Sequence, residues 1–145
     1  MTAIEYGDDI LVIDAGLTFP NNEDMPGIDC VIPDYTYLVQ NKSKIRGIFL
    51  THGHEDHIGA LKYIWPKFRK PIYCTRFPAE ILRRTFTGIE LDFDSKKDIV
   101  EFDHNGATLD IAPFEVETFH VTHSVPEAQM LIIKTGAGKI LHTGD

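Results

Sequence analysis

The chain has 145 residues, enough for one domain with a real core and short for two. Hydrophobic residues make up 43% and charged residues 25%, the composition of an ordinary globular domain. No apolar run approaches the roughly 20 residues of a membrane-spanning helix. The net charge of −8 argues against a broadly basic nucleic-acid surface.

Met1 to Asp9 is acidic and has no basic leader region, so no signal peptide is read there. Two short strands are expected next, Thr2 to Tyr6 and Asp9 to Asp14, joined at Gly7-Asp8. The second carries Ile10, Leu11, Val12 and Ile13 without alternation, as a strand covered on both faces does. Residues 18–34 hold three prolines and Gly27 and read as a long functional loop. A short helix is expected over Tyr35 to Asn41, then a buried strand from Gly47 to Thr51 that delivers His52. Ile58, Leu61, Ile64, Trp65 and Phe68 recur at helical spacing, which predicts one helix from Ile58 to Phe68.

Pro71 opens a strand over Ile72 to Cys74. A helix is expected from Pro78, burying Ile81, Leu82 and Phe86 and stopping at Gly88. From Ile99 the pattern turns to strands: Ile99 to Phe102, Ala107 to Ile111 and Glu115 to Val121, with Asn105-Gly106 as a hairpin turn. Met130 to Thr135 and Lys139 to His142 make a last hairpin around Gly136-Ala137-Gly138. The chain stops just beyond a strand, at Asp145, and reads as cut rather than finished. Cys30 and Cys74 lack CxxC spacing and read as reduced, buried thiols of a cytoplasmic protein.

The chemistry concentrates in His52-Gly53-His54-Glu55-Asp56-His57, directly after a buried strand. Imidazole nitrogens with a carboxylate oxygen form a donor set suited to zinc. In an extended turn His52 and His54 face one ion, while Asp56 and His57 swing towards a second as a helix begins. Two ions a few ångströms apart clamp a phosphoryl or acyl centre and acidify water. A chance surface cluster is the bland alternative, and scattered histidines rarely land at a strand end before a helix. His123 sits at a bend before Pro126, where a ligand can meet this cluster, whereas His120 reads as a supporting or core histidine. Asp145 follows Gly144 at a strand end and can bridge two ions. Asp14 reads either as a turn residue or as a carboxylate that orients bound imidazoles by hydrogen bonds. His104 and His142 are assigned to a turn and a strand face.

HxHxDH at 52–57 followed by His123 and Asp145 resembles the metallo-β-lactamase superfamily along essentially the whole chain. Ile13-Asp14-Ala15-Gly16, Gly27-Ile28-Asp29, Ile32-Pro33-Asp34, His123-Ser124-Val125-Pro126-Glu127 and His142-Thr143-Gly144-Asp145 are similar to the ribonuclease J branch, which carries a β-CASP domain. Glu55 inside the motif and the loop from Phe19 to Asp34 select that branch.

The resemblance implies an α/β (α+β) fold, an αββα sandwich, of which residues 1–145 are the N-terminal part. The β-CASP insertion, the C-terminal domain, a first strand before Met1 and a later ligand histidine are expected outside it. His52, His54 and His123 would hold one metal, Asp56 and His57 a second, with Asp145 bridging and Asp14 structural. Two zinc ions are expected, with manganese or magnesium as substitutes.

The implied function is RNA phosphodiester hydrolysis, 5′-to-3′ exonuclease and endonuclease, by a hydroxide on a dinuclear metal centre. Asp56, His57 and Asp145 are its catalytic candidates, and the complete protein is expected to be a homodimer or homotetramer. The span alone is expected to fall short of full activity. The rival readings are a thioester or lactone hydrolase of the same fold and an inactive metal-binding fragment. Lys67, Arg69, Lys70, Arg83 and Arg84 read as solvated helix faces rather than phosphate contacts.

Overall fold

The computed structural model describes residues 1–20, 25–87 and 92–145. Strands β1 (Thr2–Tyr6) and β2 (Asp9–Ile13) form a hairpin in which Tyr6 pairs with Asp9. Gly7 takes the turn at φ +63°, a backbone conformation that costs glycine nothing. β3 (Ile45–Phe49), β4 (Ile72–Cys74) and β5 (Ile99–Glu101) then add in parallel, giving a five-stranded sheet in the order β1-β2-β3-β4-β5. A second, antiparallel sheet runs β6 (Thr108–Ile111), β7 (Phe114–His120), β8 (Gln129–Thr135), β9 (Gly138–His142).

The uninterrupted apolar run of β2 works as expected, because both faces of the first sheet are covered. Ile10, Val12, Ile48 and Leu50 face a helical layer with Leu38, Leu61, Ile64, Trp65 and Leu82. Leu11, Ile13 and Phe49 face Phe114, Val116, Leu131 and Ile133 of the second sheet. The described residues thus form helices on sheet on sheet, three of the four layers of an αββα sandwich.

The helical layer differs from its sequence pattern. The expected helix from Ile58 to Phe68 is three pieces: α2 (Glu55–Ile58), α3 (Leu61–Ile64) and a 3-10 turn (Trp65–Lys67). Gly59 and Ala60 interrupt the first junction, and Pro66 has no N–H to continue an α-helix at the second. The apolar positions still point inward, since the pieces follow one another along one surface. α1 covers Thr36–Gln40, one residue shorter at each end than expected. β3 starts and stops two residues early, so Thr51 lies beyond the strand, and β2 ends before Asp14.

α4 runs Arg76–Thr85, two residues before the expected start, with Pro78 still in its first turn. Leu82 and Phe86 are buried and Ile81 half-buried, and the expected stop at Gly88 lies outside the described residues. A short helix, α5 (Ser95–Asp98), was not expected. Asp94 caps it by accepting from Lys96 N at 3.0 Å, while the Asp98 carboxylate accepts from Asp94 N at 2.7 Å.

The turn at Asn105-Gly106 forms but is not a hairpin. β5 pairs with β4 and β6 with β7, so the chain crosses from one sheet to the other there. Asn-Gly specifies a local reversal and says nothing about which sheet each flank joins. The last hairpin matches its expectation, with Thr135 opposite Gly138. Lys67 lies in the 3-10 turn and Arg69 and Lys70 in the loop after it, not on a helix face. Cys74 is buried and Cys30 half-buried, both free thiols. No described helix is long and apolar enough to cross a membrane.

Candidate metal centre

The parallel strands β2 and β3 end side by side, and ligands of open parallel sheets gather at such carboxyl ends. Asp14 follows β2 and is bent to φ +57°, a conformation uncommon outside glycine. Thr51 and His52 follow β3 and are both fully buried. The next loop is stapled to the segment after β2: Ala15 N donates to His57 O at 2.6 Å, Leu17 N to Glu55 O at 3.1 Å and Ala60 N to Ala15 O at 2.9 Å.

Asp14 organises the interior of this loop. Its carboxylate accepts from Thr51 N and Thr51 Oγ1, each at 2.8 Å, and from His57 Nδ1 at 2.7 Å. Thr51 Oγ1 in turn accepts from His52 Nδ1 at 2.9 Å. With both Nδ1 atoms donating, His52 and His57 keep their Nε2 lone pairs free, a tautomer set by the hydrogen-bond network. Of the two readings left open for Asp14, the geometry selects the orienting carboxylate.

Those lone pairs converge with others. His52 Nε2 lies 3.0 Å and His123 Nε2 3.2 Å from His54 Nδ1, so three nitrogens from two distant loops meet at one point. Beside it, His57 Nε2 stands 3.2 Å from Asp145 Oδ2, which also lies 4.0 Å from His123 Nε2. His52, His57 and Asp145 form a second converging group. Asp56 is on its edge, 3.8 Å from His57 Nε2, with an exposed side chain.

Asp56, His57 and Asp145 also line a cavity of about 370 Å³, with the chain's first residue at its rim. The expected residues His52, His54, Asp56, His57, His123 and Asp145 therefore come together. His120 does not: it is exposed, and its ring is 6.2 Å from His104. His142, assigned to a strand face, accepts from Gly144 N at 3.2 Å and lines the same cavity.

Burial drives the pKa of His52 down to about 4, with the neighbouring His57 adding to the effect. His57 is pushed the other way, first by its hydrogen bond to Asp14. His52 is therefore a neutral donor at neutral pH, as a metal ligand must be. Imidazole nitrogens of three histidines converging within 3.2 Å of His54 Nδ1 suit a divalent cation. The donors fit zinc.

The low folded pKa of His52 fixes the sign of one pH effect. Between about 4 and 6.5 the unfolded chain binds more protons at this position, so metal-free stability rises with pH across that window. His57 works oppositely, adding stability below its unfolded pKa that is lost as pH passes its raised folded value. Urea unfolding in a chelator at pH 4.5 and pH 7 should show the chain weaker in acid. His52→Gln should flatten that difference, and an unchanged slope would sink the assignment.

Three contributors carried no role in the sequence reading. Thr51 holds Asp14, His52 and His57 together, and only its place before the first motif histidine hints at this. Glu127, at φ +63°, accepts from Phe77 N at 2.7 Å and so ties the His123 loop to the first turn of α4. Gln129, fully buried, donates from Nε2 to Glu127 O at 3.1 Å and to His104 O at 3.0 Å. All three serve by position, which no local motif encodes.

Comparison with known proteins agrees with this geometry. The metallo-beta-lactamase superfamily matches residues 1–145. Ribonuclease J of Sinorhizobium meliloti is 38% identical over 138 residues, 93% of this chain and 23% of that protein. Ribonuclease J of Helicobacter pylori is 40% identical over 146 residues, all of this chain and 21% of that protein. The chain thus spans under a quarter of the length of these two relatives. Among solved structures, the Bacillus subtilis metallo-beta-lactamase fold protein YhfI superposes with TM-score 0.68 at 18% identity, over 99% of this chain and 53% of that one. Human tRNase Z, short form, gives 0.64 at 19%, over 99% and 61%. Histidines converging from the loop after β3 and the loop between β7 and β8, the layered sheets and a superfamily match along the full length place this chain in the metallo-beta-lactamase superfamily, with curated relatives named ribonuclease J.

Proposed function

We propose that this chain carries the metal centre of an RNA phosphodiester hydrolase of the ribonuclease J kind, acting as 5′-to-3′ exonuclease and endonuclease. The observation behind the RNA reading is 38–40% identity to proteins named ribonuclease J over 93–100% of this chain. His52, His54 and His123 would hold one divalent ion, and Asp56 and His57, with Asp145 reaching both groups, would hold a second. Zinc fits these donors best, and manganese suits the carboxylate side. Bound there, such ions supply Lewis acidity that lowers the pKa of water and draws charge from a phosphoryl group.

The protein's own groups do the rest. Asp14 and Thr51 hold His52 and His57 in the ligating tautomer. Asp56, exposed at the cavity edge, accepts the proton released by the attacking water. The phosphodiester enters the cavity beside His57 and Asp145. Free Cys30 and Cys74 fit a cytoplasmic setting, and assembly as a homodimer or homotetramer belongs to the same proposal.

Elemental mass spectrometry after dialysis is the first check, with about two divalent ions per chain expected. His54→Ala should remove about one ion while leaving the circular dichroism spectrum intact. Digestion of 5′-labelled RNA beside a thioester by the full-length parent protein, with zinc or manganese added, then tests the reaction. Cleavage of the thioester alone would overturn the RNA reading, and metal binding with neither cleaved would reduce the chain to a metal-binding module.

A further inference from the structure

We propose that the loops entering β3 and β4 form a secondary anchor for the RNA backbone, at the end of the sheet opposite the metal centre. This rests on the RNA reading above. Lys42 and Ser43 precede β3, and Lys67, Arg69 and Lys70 precede β4; with Pro66 and Phe68 they line a single concavity of about 390 Å³. Four of the chain's 14 basic residues meet there, in a protein whose net charge is −8. Among the described residues, no carboxylate lines the concavity.

Among the described residues Asp92 is the one acidic partner within salt-bridge reach, at 2.8 Å from Arg69, and both groups are well exposed. Exposed pairs of that kind are weak and yield to a phosphate. The other three ammonium groups have no carboxylate within 4.0 Å among the described residues.

The surface is built rather than loose. Trp65, almost fully buried, donates from its indole nitrogen to Lys70 O at 2.9 Å, and Arg69 N donates to Trp65 O at 2.8 Å. Phe68 is buried beneath the loop. Arg69 is held at φ +46°, one of three non-glycine residues with positive φ among those described. Its N–H to Trp65 O closes the 3-10 turn in a left-handed cap, which fixes where the Arg69 side chain leaves the loop. β3 spans five residues, so the concavity lies about 16 Å from the ends that carry the ligands. A polyanion whose reacting phosphodiester sits at the metal centre can lay a further stretch of backbone on this surface. Elsewhere its acidic surroundings repel it.

The test is fluorescence anisotropy of the chain with a labelled single-stranded RNA, in chelator, at several salt concentrations. Lys42→Ala/Lys67→Ala/Lys70→Ala should lower affinity about tenfold and reduce the slope of log K against log salt by about 2, at roughly 0.7 per phosphate contact. A control triple, Lys96→Ala/Lys97→Ala/Lys139→Ala, should leave both unchanged, and thermal melts establish that each variant folds. Equal slopes for the wild-type chain and the first triple, or no RNA binding by the wild-type chain, would overturn the anchor. So would displacement of the RNA by polyglutamate at equal charge, which would indicate an acidic protein partner. Chelator separates this from the reaction: RNA binding through the concavity, with no RNA cleavage by the full-length parent protein on adding metal, would sink the hydrolase reading and leave the anchor standing.

Discussion

Gly16→Ala is expected to disable the metal centre and weaken the fold together, by more than about 3 kcal/mol, although the residue is neither a ligand nor in a left-handed turn. A Cβ built at Gly16 overlaps the carbonyl of Asp56 and approaches His57 N to 2.6 Å. Neither neighbour can retreat. The segment after β2 is stapled to the motif loop on both sides of this point, through Ala15 N to His57 O and Leu17 N to Glu55 O. The methyl group must therefore push Asp56 and His57 away from Asp145, or break those staples. Urea unfolding and elemental mass spectrometry on one preparation read both effects. A variant within about 1 kcal/mol of wild type that keeps its full metal content would show the loop to be pliable here.

Asp14→Asn is the second large effect, and its value lies in the near absence of any change in shape. The carboxylate accepts three hydrogen bonds inside the fold. The amide can still accept from Thr51 N, but its NH2 group faces Thr51 Oγ1 and His57 Nδ1, where only acceptors now suit. His57 must then accept at Nδ1 and carry its proton on Nε2, pointing at Asp145. A protonated Nε2 does not ligate. Metal affinity of the His57 group should fall 10- to 100-fold, with a stability loss of about 3 kcal/mol. Nitrogen-detected NMR of the His57 ring would report the tautomer directly. Unchanged affinity with Nδ1 still protonated would refute the role assigned to Asp14.

Neither effect could be read at the level of single residues in the sequence. Ala15-Gly16 looks like an ordinary strand terminator, and the need for glycine arises from a loop 40 positions further along. Asp14 reads equally as a turn residue or an orienting carboxylate until β2 and β3 are laid side by side, which puts it against Thr51 and His57.

The sequence by itself determined what depends on local chemistry and periodicity. HxHxDH carries its donors within six residues, so its metal-ligating character needs no tertiary information. The unbroken apolar run of β2 announces a strand buried on both faces, and Thr135 to Gly138 announces its own hairpin. The tertiary structure alone decided how separated pieces meet. It brought His123 and Asp145 to the first cluster, since two strands must end at the same edge for that to happen. It broke the helix after Ile58, where apolar spacing survives a change in backbone that periodicity cannot see. It sent the flanks of Asn105-Gly106 to different sheets, because pairing is chosen by non-local burial while a turn dipeptide specifies only the reversal. And it gathered Lys42 with Lys67, Arg69 and Lys70, because β3 and β4 are parallel neighbours and their entry loops share one end of the sheet.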